Sequence, residues 1–168
     1  MILNLEVAPR SPVLKWAAGI CSQNPSAKVI VVTHDYLDSE GKRLDDLETF
    51  DLNGKDKAGK LKGNNADEVF KKLIKKNSNI LMVLCGHKNG TYEKTVKINL
   101  DSGKTRKVFE ILTDFQDEKV KGSYERSGKG MLRVLKIYPE KNEFVLSTVN
   151  VLTGKTRDDE IHLFMGEK

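Results

Sequence analysis

Two short runs of residues constrain this chain more than anything else in it. Lys28 to His34 reads K-V-I-V-V-T-H, and Asn79 to Cys85 reads N-I-L-M-V-L-C. Unbroken apolar runs this short, bounded by polar residues, fit strands buried on both faces of an α/β sheet. A helical stretch lies between them. Asn65 is placed to cap it, with Glu68 three residues on as the other half of a capping box. Ala66, Val69, Phe70, Leu73 and Ile74 recur at helical spacing as its buried stripe. Strand, helix and strand in this order predict a parallel pair whose carboxyl ends share one edge. Both runs terminate in histidine, in Thr33-His34-Asp35-Tyr36 and in Gly86-His87-Lys88-Asn89-Gly90.

The flanks fill in the class. Ile2, Leu3, Leu5 and Val7 alternate as a strand would. Ser11-Pro12 opens a helix, with Ser as cap and Pro at the first helical position. Val13, Trp16, Ala17 and Ile20 are its expected stripe, widened by Leu14, Ala18 and Cys21, which puts Trp16 in the core; Asn24-Pro25 closes it. Residues 38 to 64 lack periodicity and read as a mobile insertion beside the site or as a solvated surface loop. Thr95–Leu100 and Lys107–Leu112 flank a turn at Asp101-Ser102-Gly103. Residues 117 to 129 read as a polar loop. Met131–Tyr138 and Phe144–Val151 flank a second turn, so the later half is expected to be antiparallel. The expected fold is α/β, a mixed β-sandwich with flanking helices. Residues 1–151 would form the domain and 152–168 a fraying tail.

Composition removes several classes. A chain of 168 residues can bury a real core. No window approaches the roughly 20 apolar residues of a membrane-spanning helix. Two cysteines cannot make a disulfide scaffold. The start has no basic region or cleavage site of a signal peptide, which leaves the compartment open. A chain that begins inside a strand suggests a piece of something longer. The net charge of +5 resides largely in the lysine-rich loop and in Lys71, Lys72, Lys75 and Lys76. Those four suit a solvated helix face, the last two also the negative helix end. Closely spaced aromatics of a stacking platform are lacking, so nucleic acid is not an expected partner.

A single histidine is ordinarily a surface or satisfied core residue. A matched pair at one sheet edge is a candidate metal site, because neutral imidazole is a good donor. Gly86 would allow the tight turn that brings His87 to the edge. Two imidazoles do not complete a transition-metal site. His162 belongs to the terminal region and is expected to be exposed.

The segments Val31-Val32-Thr33-His34-Asp35-Tyr36-Leu37 and Cys85-Gly86-His87 resemble the last two metal-binding motifs of calcineurin-like metallophosphoesterases. Leu5-Glu6-Val7-Ala8-Pro9-Arg10, Phe115-Gln116 and Gly128-Lys129-Gly130-Met131-Leu132-Arg133 look like segments of one bacterial branch. The resemblance runs from about residue 3 to 150. It implies the carboxyl-terminal portion of a four-layer αββα domain acting on phosphomonoesters or phosphodiesters. It also implies two divalent or trivalent transition metal ions, with Mn, Zn and Fe indistinguishable. Such ions hold a phosphoryl oxygen and lower the pKa of a water that attacks phosphorus in line. By motif position, His34 and His87 would ligate one ion. Asn89 stands where the family often has a second histidine, a ligand of the other ion. Asp35 would orient a ligand from behind or simply make the turn; Tyr36 would line the pocket or pack. The family's earlier Asp-x-His, Gly-Asp and Gly-Asn-His-(Asp/Glu) motifs are absent. The expectation is therefore a hydrolase fragment with an incomplete dinuclear site, inactive or weak alone. The alternative is a non-enzymatic interaction domain that complements a separate amino-terminal chain or self-associates through exposed strand edges.

Overall fold

A computed structural model describes residues 1–45, 63–117 and 128–165. The fold is mixed α/β, with two sheets and few helices. Residues divide into two compact units, Met1–Lys88 with Tyr92–Leu112, and Asn89–Thr91 with Thr113–Lys168. No helix of the described residues is long and apolar enough to cross a membrane.

The first unit is built on a sheet of strands β1 (Ile2–Asn4), β2 (Val29–Asp35), β3 (Ile80–Gly86), β4 (Gly90–Asn99) and β5 (Thr105–Asp114). Their order is β1-β2-β3-β5-β4. The first three run parallel, as the two apolar runs predict. The later half departs from expectation. β5 is not confined to an antiparallel hairpin with β4 but joins the first sheet as a parallel neighbour of β3. Its core run Val108–Leu112 is apolar on both faces apart from Glu110, and such strands belong in the middle of a sheet.

Helix α1 (Ser11–Gln23) precedes β2, and α2 (Ala66–Val69) continues into a π turn at Phe70–Ile74 before β3. Both pack on the sheet face that carries Leu3, Val31, Val83 and Cys85. The expected stripe of α1 meets the core except at Trp16, with Val13, Ala18 and Ile20 packed against it. Leu14, Ala17 and Cys21 are buried, and Trp16 is 55% exposed. Leu14, Ala17 and Cys21 all belong to the wide stripe and form its centre on the core, which leaves Trp16 at the margin. The cap shifts: Arg10 is the capping residue, without a side-chain bond, and Ser11 is already helical. At the other end of α1, the Asn79 amide donates to the carbonyls of Cys21 (3.0 Å) and Asn24 (2.9 Å). The capping box of α2 forms as read, with Asn65 accepting from the Glu68 amide at 2.9 Å and Glu68 accepting from that of Asn65.

The second unit holds β6 (Met131–Tyr138), β7 (Glu143–Asn150), β8 (Lys155–Thr156) and β9 (Ile161–Phe164). β6 and β7 are the expected hairpin, turned by Pro139–Lys141 and a left-handed Asn142 (φ 51°). The tail does not fray over its described part. β8 and β9 pair antiparallel with β7, supplying partners to a strand whose residues 143–148 are all buried. His162 lies on β9 and its Nδ1 is 2.6 Å from Glu143 Oε1, a contact set by the register rather than visible in local sequence. Of the two expected loops, 46–62 and 118–127 lie outside the described residues. Residues 38–45 form a turn in which Asp38 Oδ1 accepts from the amides of Glu40 and Lys42, closed by a bridge between Leu37 and Arg43.

Candidate functional site

The two strand-terminal histidines meet. Their ring centroids lie 5.0 Å apart, with the planes inclined at 63°. Backbone irregularities on both strands bring this about. Between β2 and β3 the register runs from Val32↔Leu84 to Asp35↔Gly86, three steps against two. This is a β-bulge at Thr33–His34, the device that re-aims a side chain near a strand end. Thr33 is anchored inward, its hydroxyl donating to the Glu6 carbonyl at 3.2 Å. His34 is exposed.

On β3 the turn is tighter than a glycine at 86 suggests. The Lys88 amide donates to the Gly86 carbonyl at 3.0 Å, and the residue between them, His87, has φ 75°. A γ-turn with positive φ at its centre is rare and strained. Here it is centred on an imidazole-bearing residue rather than on the glycine before it. Strain held at a side chain that faces another imidazole is a local cost that packing alone does not require.

Two imidazoles at 5.0 Å suit a shared ion. A nitrogen bound at about 2.0–2.1 Å puts each ring centre roughly 3 Å from the metal, and two rings on a tetrahedral ion then lie about 5 Å apart. The donor set stops there. Among the described residues no group of three or more His, Cys, Asp and Glu side chains is placed to hold a metal. Asn89 is exposed and clusters with the second unit.

Asp35 pairs with Gly86 across the strands and is partly buried. Cys85, also at this edge, is buried, and its thiol donates to the Ile111 carbonyl at 3.4 Å. Burial pushes this thiol up to about 12, with smaller contributions from the charges of Glu110 and Asp35. It is a neutral core group, unfit as a nucleophile or thiolate ligand.

Of the two readings open for Tyr36, packing is the one observed. Its side chain is fully buried and its hydroxyl donates to Glu110 Oε1 at 2.8 Å. Arg43 donates to the same oxygen from Nε (2.9 Å) and Nη2 (2.7 Å), and its guanidinium stacks 3.5 Å from the Phe70 ring centre. Burial, then the Glu110 charge, hold the Tyr36 hydroxyl well above its ordinary range. This cluster fastens the segment after His34 and Asp35 to the sheet. Sequence reading missed it, although a signal exists. Val108, Glu110 and Leu112 alternate on one face, so the carboxylate occupies a core position and must have a partner.

Two other segments carried by the resemblance have clear places. Leu5 to Arg10 folds into a turn closed by Arg10, whose Nε is 2.9 Å from Glu6 Oε1. In the second unit, Phe115, Gln116 and Gly128 line a cavity of about 540 Å³ together with Met131 and Leu132. Gly128 opens a run of three successive left-handed residues with Lys129 and Gly130 (φ 62°, 50° and 68°). The positive φ favours glycine at 130, and a Cβ there would also have to displace the exposed Leu152 side chain, whose Cγ lies at 2.6 Å.

No family model matches the chain, and no solved structure matches it. It is similar to the uncharacterized protein YvnB of Bacillus subtilis (strain 168), with 28% identity over 134 residues. The match covers 79% of this chain and 8% of that protein. The chain thus spans under a tenth of the length of the relative it matches.

Proposed function

We propose that the chain is the carboxyl-terminal portion of a calcineurin-like metallophosphoesterase domain and contributes His34 and His87 to its metal centre. The observation that carries the reading is the imidazole pair at 5.0 Å, aimed by a β-bulge on one strand and a strained turn on the other. The mixed sheet with helices packed on one face is compatible with one half of a four-layer αββα sandwich. In such a centre the ions hold a phosphoryl oxygen and acidify an attacking water. The role of this chain's residues is to donate two imidazole nitrogens and to hold them in register. Asp35 and Gly86 set the strand ends from which the rings project. The Tyr36–Glu110–Arg43 cluster fixes the chain behind them. The remaining donors come from residues outside the described cluster, and hydrolysis of phosphomonoesters or diesters requires them.

The test is calorimetric titration of the chain with Zn²⁺ and Mn²⁺, beside turnover of p-nitrophenyl phosphate and its bis ester. One metal ion should bind, and His34→Ala and His87→Ala should each weaken it by more than the roughly 10–100-fold that losing a ligand's supporting partner costs. Binding or metal-dependent turnover indifferent to both substitutions would overturn the assignment.

An interaction role for the same chain has one observation in its favour. Among the described residues β1 pairs only with β2, and Ile2 on it is 64% exposed. An open edge of this kind accepts a further strand. Light scattering tests it: self-association that Ile2→Lys abolishes supports an edge contact, and a monomer at high concentration counts against self-pairing.

A further inference from the structure

At the opposite edge of the first sheet lies a second feature that the histidine site does not use. An open cleft of about 510 Å³ is lined by Lys71, Lys75, Lys76, Ser78, Asn99 and Asp101, among others. It sits where β3 and β5 begin, whereas the histidines sit where β2 and β3 end. One strand length of seven residues separates them, about 20 Å. We propose that this cleft binds a small phosphorylated molecule that also carries a hydroxyl or amino group.

Three observations point there. The first is that no close ion pair holds these lysines, although Glu68 attracts Lys71 from a distance. Lys71, Lys75 and Lys76 have no ion-pair or hydrogen-bond partner among the described residues, whereas Lys72 beside them is held by Glu68 at 2.9 Å. Like charges lining one cleft repel, and an anion between them relieves that repulsion.

The second is that the helix end does not need them. Lysines close a helix by satisfying its last carbonyls and its dipole. Here Arg106 does so from β5, donating from Nη2 to the Ile74 carbonyl (2.6 Å), while its Nη1 ties the helix end to the Ile80 carbonyl of β3 (2.9 Å). The ammonium groups remain available to a ligand.

The third is the π turn. The Lys75 amide bonds the Phe70 carbonyl at 2.8 Å, five residues back. In an α-helix, residues five apart stand about 140° apart around the axis. An i→i+5 turn winds more slowly and narrows that angle, and Lys71, Lys75 and Lys76 all line the cleft. Such single π turns recur at functional sites.

The rest of the lining is Ile98 and Leu100, which are apolar, and three polar residues. Asn99 accepts from the Thr105 hydroxyl at 3.2 Å through its carbonyl oxygen, which leaves its amide nitrogen to donate. The Ser78 hydroxyl and the Asp101 carboxylate have no partner among the described residues. Asp101 repels a bare anion and accepts from a hydroxyl or amine, which is why the ligand needs both features. The volume lies within the ~300–1,000 Å³ range of small-molecule sites.

The experiment is amide NMR of the isotope-labelled chain at constant ionic strength. ADP, pyrophosphate and inorganic phosphate serve as probes and sodium chloride as control. ADP should saturably shift the signals of residues 71–78 and 98–101. The double variant K71Q/K75Q should weaken this at least about tenfold, the factor of one charge-assisted hydrogen bond. D101N should weaken ADP but not pyrophosphate. His34→Ala should change nothing here, which keeps this test separate from the metal-centre reading. Shifts equal to those from chloride, shifts that survive K71Q/K75Q, or shifts confined to residues 86–89 would each overturn the proposal. Equal effects of D101N on ADP and pyrophosphate would overturn the role given to Asp101.

Discussion

Replacing Arg43 by Met tests how the segment behind the histidines is held. The Arg43 side chain is 14% exposed and Glu110 is fully buried. Glu110 Oε1 takes both guanidinium bonds and the Tyr36 hydroxyl, and Oε2 has no partner among the described residues. Removing the cation therefore leaves a buried carboxylate with one neutral donor. Breaking a buried pair in this way costs about 3–5 kcal/mol, a large share of the ~5–15 kcal/mol that holds a domain together. The reverse deletion, Glu110→Leu, should cost less. Arg43 retains the Phe70 ring and Asp67, whose Oδ1 is 3.6 Å from Nη1 and which is itself 44% exposed to water. The double variant R43M/E110L removes both charges and should recover about 2 kcal/mol or more relative to R43M, since apolar replacement of a whole buried pair is often near neutral. Urea denaturation followed by circular dichroism at pH 7 reads all three. An R43M variant within about 1 kcal/mol of the parent would refute the reasoning, as would additive effects in the double variant.

Three further outcomes follow from single residues. His87→Gly should raise stability by about 1 kcal/mol by relieving the positive φ, while abolishing the imidazole's contribution to metal binding; thermal melts with and without Zn²⁺ separate the two effects. His162 should titrate above 6.5, because its bond to Glu143 favours the charged ring, with Glu160 adding to it. Stability from this contact is present below pH 6.5 and lost as pH rises through the folded-state value; NMR should show the midpoint fall in Glu143→Gln. Trp16→Ala should change stability by less than about 0.5 kcal/mol, and Leu14→Ala should cost about 2–5 kcal/mol, as chemical melts will report.

The contrast between Trp16 and Leu14 also marks what a sequence can reveal. Features set by neighbours along the chain were legible: the capping box at Asn65 and Glu68, the parallel pair of apolar strands, and the hairpin around Pro139. Features set by partners far along the chain were not. Residues 155–156 and 161–164 look like a loose polar tail until β7 offers an edge to pair with. β5 looks like half of a hairpin until β3 takes it as a parallel neighbour. The wide stripe of α1 was legible, but not that Trp16 lies at its margin, because the sheet beneath sets where the helix makes contact. The histidine edge was legible as a pair of strand ends. Its aim was not, because the bulge at Thr33–His34 and the turn at His87 depend on register and backbone angle.

That bulge has a consequence of its own. In a regular strand, residues five apart face opposite ways, yet Val31 and Tyr36 belong to one core cluster. The extra residue exchanges the faces at the point where His34 leaves the sheet. Counting, rather than chemistry, directs the imidazole. Removing any one residue from 33–35 would restore strict alternation, turn Tyr36 away from Glu110 and swing the histidine position with it. Substitutions in this stretch act on one side chain each, whereas a single deletion acts on all that follow.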